Sequence, residues 1–222
     1  MIKIETNYFY PCRTRHLFDK KWLKQWKKGK KYSFKRGVQI SYPDKLTDEL
    51  YLVVTGNVSI GHLHQDGKEC ILGILQAGDF IDLPSVFSNK DSQVYATALT
   101  FVEVVKVPKK EIIDLVLKTP QLSHQLLAYF ASQLQEVVTI LEQVAYDKVE
   151  ERLIQALHRL IDQTTEKNGW HPLPEYMTHK DIASMIASTR ETVTFLINKL
   201  IQNNILKNEN NRLWLQKDII SP

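Results

Sequence analysis

Arg190 and Glu191 stand side by side directly after Thr189, and together they carry the chemistry of base-edge recognition. A guanidinium can donate two hydrogen bonds to guanine O6 and N7, and a carboxylate can accept one from cytosine N4. Thr194, Phe195 and Lys199 follow on the outer and flanking faces of the same stretch. Thr178, His179, Lys180 and Thr189 suit phosphate oxygens, contacts that place a protein on a duplex without reading its sequence. These nine residues are the candidate DNA-binding set. They can act together only if short, rigid elements hold them at one edge.

Residues 177–200 supply such elements. Thr178 is an N-cap, and Asp181 three positions on can answer it, close to a capping box. Ile182, Met185 and Ile186 then give one apolar face at helical spacing. Ala187-Ser188 are small enough for a close turn. Thr189 caps a second helix whose buried stripe is Val193, Leu196, Ile197 and Leu200. In a helix-turn-helix the N-terminal end of the second helix enters the major groove. An ordinary amphipathic hairpin has the same pattern, but the next segment favours the DNA reader. Ile205-Leu206-Lys207 and Arg212–Leu215 are strand-like runs around Asn208–Asn211, a hairpin pattern. A hairpin directly after a recognition helix is a wing.

The Thr-Arg-Glu-Thr-Val run at 189–193, followed by Leu196, Leu200 and Asn204-Ile-Leu206, resembles the CRP/FNR family of bacterial transcription regulators. The resemblance implies an α+β chain in three parts. Residues 1–118 would form a double-stranded β-helix or jelly-roll effector domain, 119–146 a dimerisation helix, and 147–222 a winged helix-turn-helix. It also implies a homodimer on an inverted repeat of double-stranded DNA, with half-sites roughly 34–36 Å apart. RNA polymerase would be a further partner of an activator. The family's TGTGA-type reader carries a second arginine four positions after the glutamate, where this chain has Phe195. Phenylalanine can pack on a thymine methyl but cannot bond guanine. The half-site is therefore expected to lose one guanine preference.

Upstream, the residues themselves indicate β-structure. Tyr32–Phe34, Val38–Ser41, Leu50–Val54, Val58–Leu63, Cys70–Leu75, Val94–Leu99 and Val102–Val107 read as short strands. Gln65–Lys68 and Ala77–Phe80 read as turns between them, a spacing that suggests a barrel or jelly roll. Tyr51–Val58, Asp66–Lys68 and Gly78–Ile81 resemble the family's cyclic-nucleotide-binding pattern. Asp82, Leu83, Ser92, Gln93 and Tyr95 are the candidate effector pocket. The family's cyclic-nucleotide cassette neutralises the phosphate with an arginine, yet no arginine occurs from Ile81 to Ala96. A buried phosphate would then be poorly compensated, which disfavours cyclic AMP and cyclic GMP. An iron–sulfur cluster needs about four cysteines, and the chain has two, Cys12 and Cys70. His62 and His64 would share a strand face and could hold haem or a metal, but they flank a surface hairpin and read as solvated. No cofactor and no metal are expected.

From Glu111 the period becomes helical, with a break at Thr119-Pro120. Leu127, Phe130, Leu134, Val137, Leu141 and Val144 then alternate three and four apart, a seam for pairing with a second copy. Asp147 marks a hinge. Val149, Leu153, Ala156, Leu157 and Leu160 begin the next helix, and Gly169–Pro174 reads as a loop.

The chain has 222 residues and a net charge of +4, with much of its basic excess between Arg13 and Arg36. There Leu17, Phe18, Trp22, Leu23 and Trp26 make an apolar stripe with lysines around it, the pattern of a solvated amphipathic helix. Nucleic acid or an anionic surface is the other reading of that segment. No run is long enough to span a bilayer and no leader pattern is present, so a cytoplasmic setting is expected. Paired carboxylates, nucleophile triads and phosphate-cradling loops are missing, so no enzyme is expected. A ligand-binding module without DNA activity, or a regulator that needs no effector, are the alternatives.

Overall fold

The computed structural model describes residues 13–42, 47–88, 94–162 and 164–216. Contacts divide the chain into two compact units, with the boundary between Val138 and Thr139.

The first unit is built on seven strands: β1 (Lys31–Phe34), β2 (Gln39–Ser41), β3 (Glu49–Thr55), β4 (Val58–Leu63), β5 (Glu69–Leu75), β6 (Tyr95–Ala98) and β7 (Val102–Pro108). They pair antiparallel in two sheets, ordered β1-β7-β3 and β2-β6-β4-β5. Ile40, Val58, Ile60, Leu75, Ala96 and Ala98 from one sheet meet Val53, Val102 and Val104 from the other. That interior is the core of the roll. The β3–β4 turn requires Gly56, which has φ +88° and where a Cβ would overlap the Phe101 carbonyl oxygen. β4 ends at Leu63, so His64 lies in the following turn and not on the strand. Its ring sits 3.2 Å from the Asp66 carboxylate. Cys70 is exposed on β5.

β3 and β7 are covered on their other face as well. Leu50, Leu52, Val105 and Val107 point into a second cluster with helical residues. These come from α1 (Lys20–Trp26), α2 (Lys109–Lys118) and α3 (Pro120–Tyr146). Leu17 and Phe18 are buried just ahead of α1, so the apolar stripe continues beyond the helix that bears it. Trp26 packs edge-on against Phe18 and Phe80, and its indole N–H donates to Glu111 on α2 at 3.0 Å. Leu122, Leu126 and Tyr129 are the face of α3 that joins this cluster.

One buried carboxylate joins the start of the described chain to the roll. Asp79, with no exposed surface, accepts from the backbone N–H groups of Thr14 at 2.8 Å and Arg15 at 2.9 Å through Oδ1. Its Oδ2 accepts from the Gln76 N–H at 2.9 Å. The Thr14 hydroxyl in turn accepts from the Phe80 N–H at 2.7 Å. Burial pushes the Asp79 carboxyl up from its ordinary range, against the pull of the three N–H donors.

The second unit contains α4 (Val149–Leu160), β8 (Trp170–Pro172), α5 (His179–Met185), α6 (Arg190–Gln202), β9 (Leu206–Glu209) and β10 (Arg212–Gln216). β8 corrects the expected loop at 169–174. It pairs with β10 and makes the wing a three-stranded sheet ordered β8-β10-β9. β8 is an edge strand, which tolerates Pro172 because one side of it needs no ladder donor. Asn210 and Asn211, at φ +54° and +61°, form the tight turn between β9 and β10. The Glu150 and Glu151 side chains favour the N-terminus of α4, where the Glu151 carboxylate accepts from the Lys148 N–H at 2.9 Å.

Replacing Asp79 by alanine would leave three N–H donors without their acceptor in a buried site. We expect a loss of about 3 kcal/mol in urea unfolding, with Asp79→Asn costing less because one carbonyl oxygen remains. A loss below about 0.5 kcal/mol in Asp79→Ala would show that the clip contributes little.

Candidate nucleic-acid interface

The reading end of the second unit is set by two caps. Thr178 and Asp181 form a reciprocal box: the Thr178 hydroxyl accepts from the Asp181 N–H at 3.2 Å, and the Asp181 carboxylate accepts from the Thr178 N–H at 2.9 Å. Thr189 accepts from the Thr192 N–H at 3.2 Å and meets the Thr192 hydroxyl at 2.9 Å. Such a cap contributes about 1 kcal/mol and fixes where the helix begins. Between the helices, Ala187 takes φ +51°, a left-handed conformation that turns the chain sharply at a residue with a small side chain.

Val193, Leu196, Ile197 and Leu200 are buried on α6, and Ile182, Ala183 and Ile186 are buried beneath α5 and its end. The opposite side of α6 therefore faces solvent from its first turn. Arg190 and Glu191 are exposed there, and among the described residues neither side chain has an ion pair or hydrogen bond. Phe195 is 68% exposed, a large apolar ring in water one turn further on.

His179 and Thr194 are linked more closely than the sequence indicated. The Thr194 hydroxyl donates to the Arg190 carbonyl at 2.8 Å, which uses its single proton. His179 Nδ1, 2.9 Å from that hydroxyl oxygen, must then be the donor in this pair. The bridge joins the first turn of α5 to the second turn of α6 and fixes the imidazole tautomer. Burial lowers the His179 pKa, and the nearby Arg190 charge lowers it further.

The structure thus brings Thr189, Arg190, Glu191, Thr194 and Phe195 together at the start of α6, with His179 bonded to them. Thr178 and Lys180 lie at the first turn of α5. Lys199 is engaged elsewhere, its ammonium 2.7 Å from the Glu150 carboxylate of α4. On the wing, Lys207 lies over the rings of Trp170 and Trp214, at 4.8 and 5.5 Å from their centroids. No sequence spacing announces that stack, because it depends on β8 joining the sheet.

The candidate effector residues are placed less coherently. Asp82 adopts φ +58° just before a 3₁₀ turn at Leu83–Val86. Leu83 is 1% exposed and packs in the core cluster beside α1 and α2. Tyr95 is buried on β6, with its hydroxyl against Gly61 of β4. Ser92 and Gln93 lie outside the described residues. No group of three or more His, Cys, Asp or Glu among the described residues could hold a metal. Along α3 the expected seam is bare: Leu127, Leu134 and Leu141 are 63–70% exposed, and Val137 and Val144 about half. Phe130 differs, being half-buried against Phe87 with ring centroids 6.0 Å apart. No helix among the described residues is long and apolar enough to cross a membrane.

Residues 31–119 match the cyclic nucleotide-binding domain, and residues 151–218 match the Crp-like helix-turn-helix domain. The chain is 25% identical over 174 residues to a cyclic AMP receptor protein of Thermus thermophilus, a match covering 78% of each chain. It is 27% identical over 161 residues to a CRP-like cAMP-activated global transcriptional regulator of Mycobacterium tuberculosis, covering 72% of each. Its fold is similar to that of FixK2 from Bradyrhizobium japonicum, with a TM-score of 0.71 and 23% identity over 85% of this chain and 92% of that one. A cyclic nucleotide-binding domain followed by a Crp-like helix-turn-helix domain, together matching well over half of its length, shows that the chain belongs to the CRP/FNR family of transcription regulators.

Proposed function

We propose that this regulator reads an inverted repeat in double-stranded DNA as a homodimer, gated by a small effector other than cyclic AMP. The observation that carries the reading is the exposed start of α6, where Arg190 and Glu191 stand without partners among the described residues. A guanidinium and a carboxylate held side by side on a capped helix are suited to one G·C pair. Thr178, His179, Lys180 and Thr189 would hold phosphates around them. Lys199 would have to leave Glu150 to join them.

Pairing of two copies through Leu127, Leu134, Val137, Leu141 and Val144 would remove from water an apolar stripe that this chain leaves bare. The proposed division is sensor 1–118, dimerisation helix 119–146 and reader 147–222, working in the cytoplasm without catalysis. Opposition to cyclic AMP rests on the sequence 81–96, which has no arginine for the cyclic phosphate. Two relatives are named for cyclic AMP, so the effector of this chain would differ from theirs.

Selection from a random duplex pool at about 150 mM salt, without added ligand, tests the reading. Enrichment of an inverted repeat supports a dimeric reader competent without effector. Enrichment only after adding cell metabolites supports gating, and no enrichment under either condition overturns the reading. Arg190→Ala should cost about 1–3 kcal/mol and relax preference at one base pair. A uniform loss across all sequences would make Arg190 a phosphate contact.

His179 gives a second test. With Nδ1–H donated to Thr194, the neutral ring presents only a lone pair at Nε2 and has no donor there for a phosphate. Burial, and after it the Arg190 charge, disfavours the imidazolium in the free protein, while a phosphate would favour it. Binding would therefore take up a proton, and affinity should rise as pH falls from about 8 to about 6. His179→Gln should flatten that profile. A wild-type affinity that does not change over this range removes His179 from the contact set.

A further inference from the structure

The outward side of α6 holds one side chain that polar contacts leave unexplained. At about 100° per residue, Val193, Leu196, Ile197 and Leu200 take one side of the helix, and Glu191, Phe195 and Asn198 take the other. Phe195 stands in the middle of that outward side, 68% exposed. Among the described residues from α4 to β10, every other large hydrophobic side chain is buried or half-buried. The Phe195 ring stacks on no other ring among those residues.

Its neighbours narrow what the ring can meet. The Thr194 hydroxyl is engaged with the Arg190 carbonyl and with His179. Lys199 is paired with Glu150. Arg190 and Glu191, one turn earlier, carry the polar groups suited to a G·C pair, so Phe195 follows them along the groove as an apolar surface. In the major groove the apolar group is the thymine C5-methyl, whereas guanine, adenine and cytosine present donors and acceptors. A phenyl ring over the cytosine amino group would exclude its water and return no acceptor, which is unfavourable. A wedge between base steps is the other use of an apolar ring, but it belongs to the minor groove. Arg190 and Glu191, at the start of the same helix, suit the major-groove edge.

We propose that Phe195 is a specificity-determining residue that senses the 5-methyl group of a pyrimidine in the major groove. The regulator then prefers thymine or 5-methylcytosine to unmethylated cytosine at one position of each half-site. The inference rests on the DNA-reading function proposed above. Contact with the ring removes a methyl group and much of an exposed phenyl face from water together, and that burial supplies the preference. No charge is involved, so the preference is separable from phosphate contacts by its indifference to salt. It also makes the operator a place where cytosine methylation strengthens binding, because the added methyl stands at the same ring carbon as that of thymine.

The test uses the full chain and the half-site enriched by the selection above, under whichever condition yields it. Each thymine is replaced in turn by deoxyuridine, which removes the methyl and keeps base pairing, and each cytosine by 5-methylcytosine. Wild type should lose about fourfold in affinity at one thymine per half-site, as expected for one methyl-sized group returned to water, and roughly tenfold or more with both half-sites changed. A C·G pair at that position should bind more weakly still, and its 5-methylcytosine form should regain about fourfold. Phe195→Ala should bind the thymine and deoxyuridine duplexes alike there, with its slope of log affinity against log salt unchanged. Equal thermal unfolding of the two proteins confirms that the exposed substitution leaves the fold intact. A methyl effect that persists in Phe195→Ala overturns the proposal and makes it a property of the duplex. Enrichment with no methyl-sensitive position overturns this inference alone, whereas no enrichment under any condition overturns the DNA-reading function and this inference with it.

Discussion

The first unit depends on β3 and β7 being buried on both faces. Val53, Val102 and Val104 fill the roll, while Leu50, Leu52, Val105 and Val107 support the helices. The period of two along a strand forces this division, because successive side chains must leave opposite faces. A single ladder thereby couples the interior of the roll to α1, α2 and the buried face of α3. Anything that reshaped the roll would be felt at Leu122, Leu126 and Tyr129 through close-packed side chains rather than through a flexible connection.

The second unit solves a different problem, that of presenting polar side chains at a fixed place. The hydrogen bonds at the starts of α5 and α6 are local and short in sequence: Thr178 with Asp181, Thr189 with Thr192, Thr194 with Arg190. Across the two helices, His179 bonds to Thr194. Caps determine where each helix starts, and the buried stripe of α6 determines which way it faces. Together they leave Arg190, Glu191 and Phe195 no option but solvent or a ligand.

Much of this was legible in the residues, for physical reasons that differ by element. The capping pairs and the 3–4 spacing of Val193, Leu196, Ile197 and Leu200 are local, so α5 and α6 could be read directly. The wing hairpin was legible because Asn tolerates positive φ, and two of them stand at the turn. β8 was not legible: three residues with a proline look like a loop until a partner strand is present. The end of β4 was not legible either, because alternation cannot tell where a strand stops, and His64 lies just beyond it. The Asp79 clip could not be foreseen, since its donors Thr14 and Arg15 lie more than sixty residues away. The effector pocket was least legible, because the sequence departs there from the pattern it resembles, and Leu83 lies in the core cluster beside α1 and α2.

The Asp79 clip also bears on where this domain begins and ends. The stretch that matches the cyclic nucleotide-binding domain starts at Lys31 and stops at Thr119. A fragment cut at those limits would lose Thr14 and Arg15, two of the three N–H donors to Asp79. It would also lose Phe18, Trp26, Leu122, Leu126 and Tyr129, which cover the outer face of β3 and β7. Such a piece would carry an under-satisfied buried carboxylate and an uncovered sheet, and it should aggregate rather than bind anything. The evolutionary module and the folding unit are different objects in this chain, and the larger one includes both the segment ahead of the roll and the first half of the long helix.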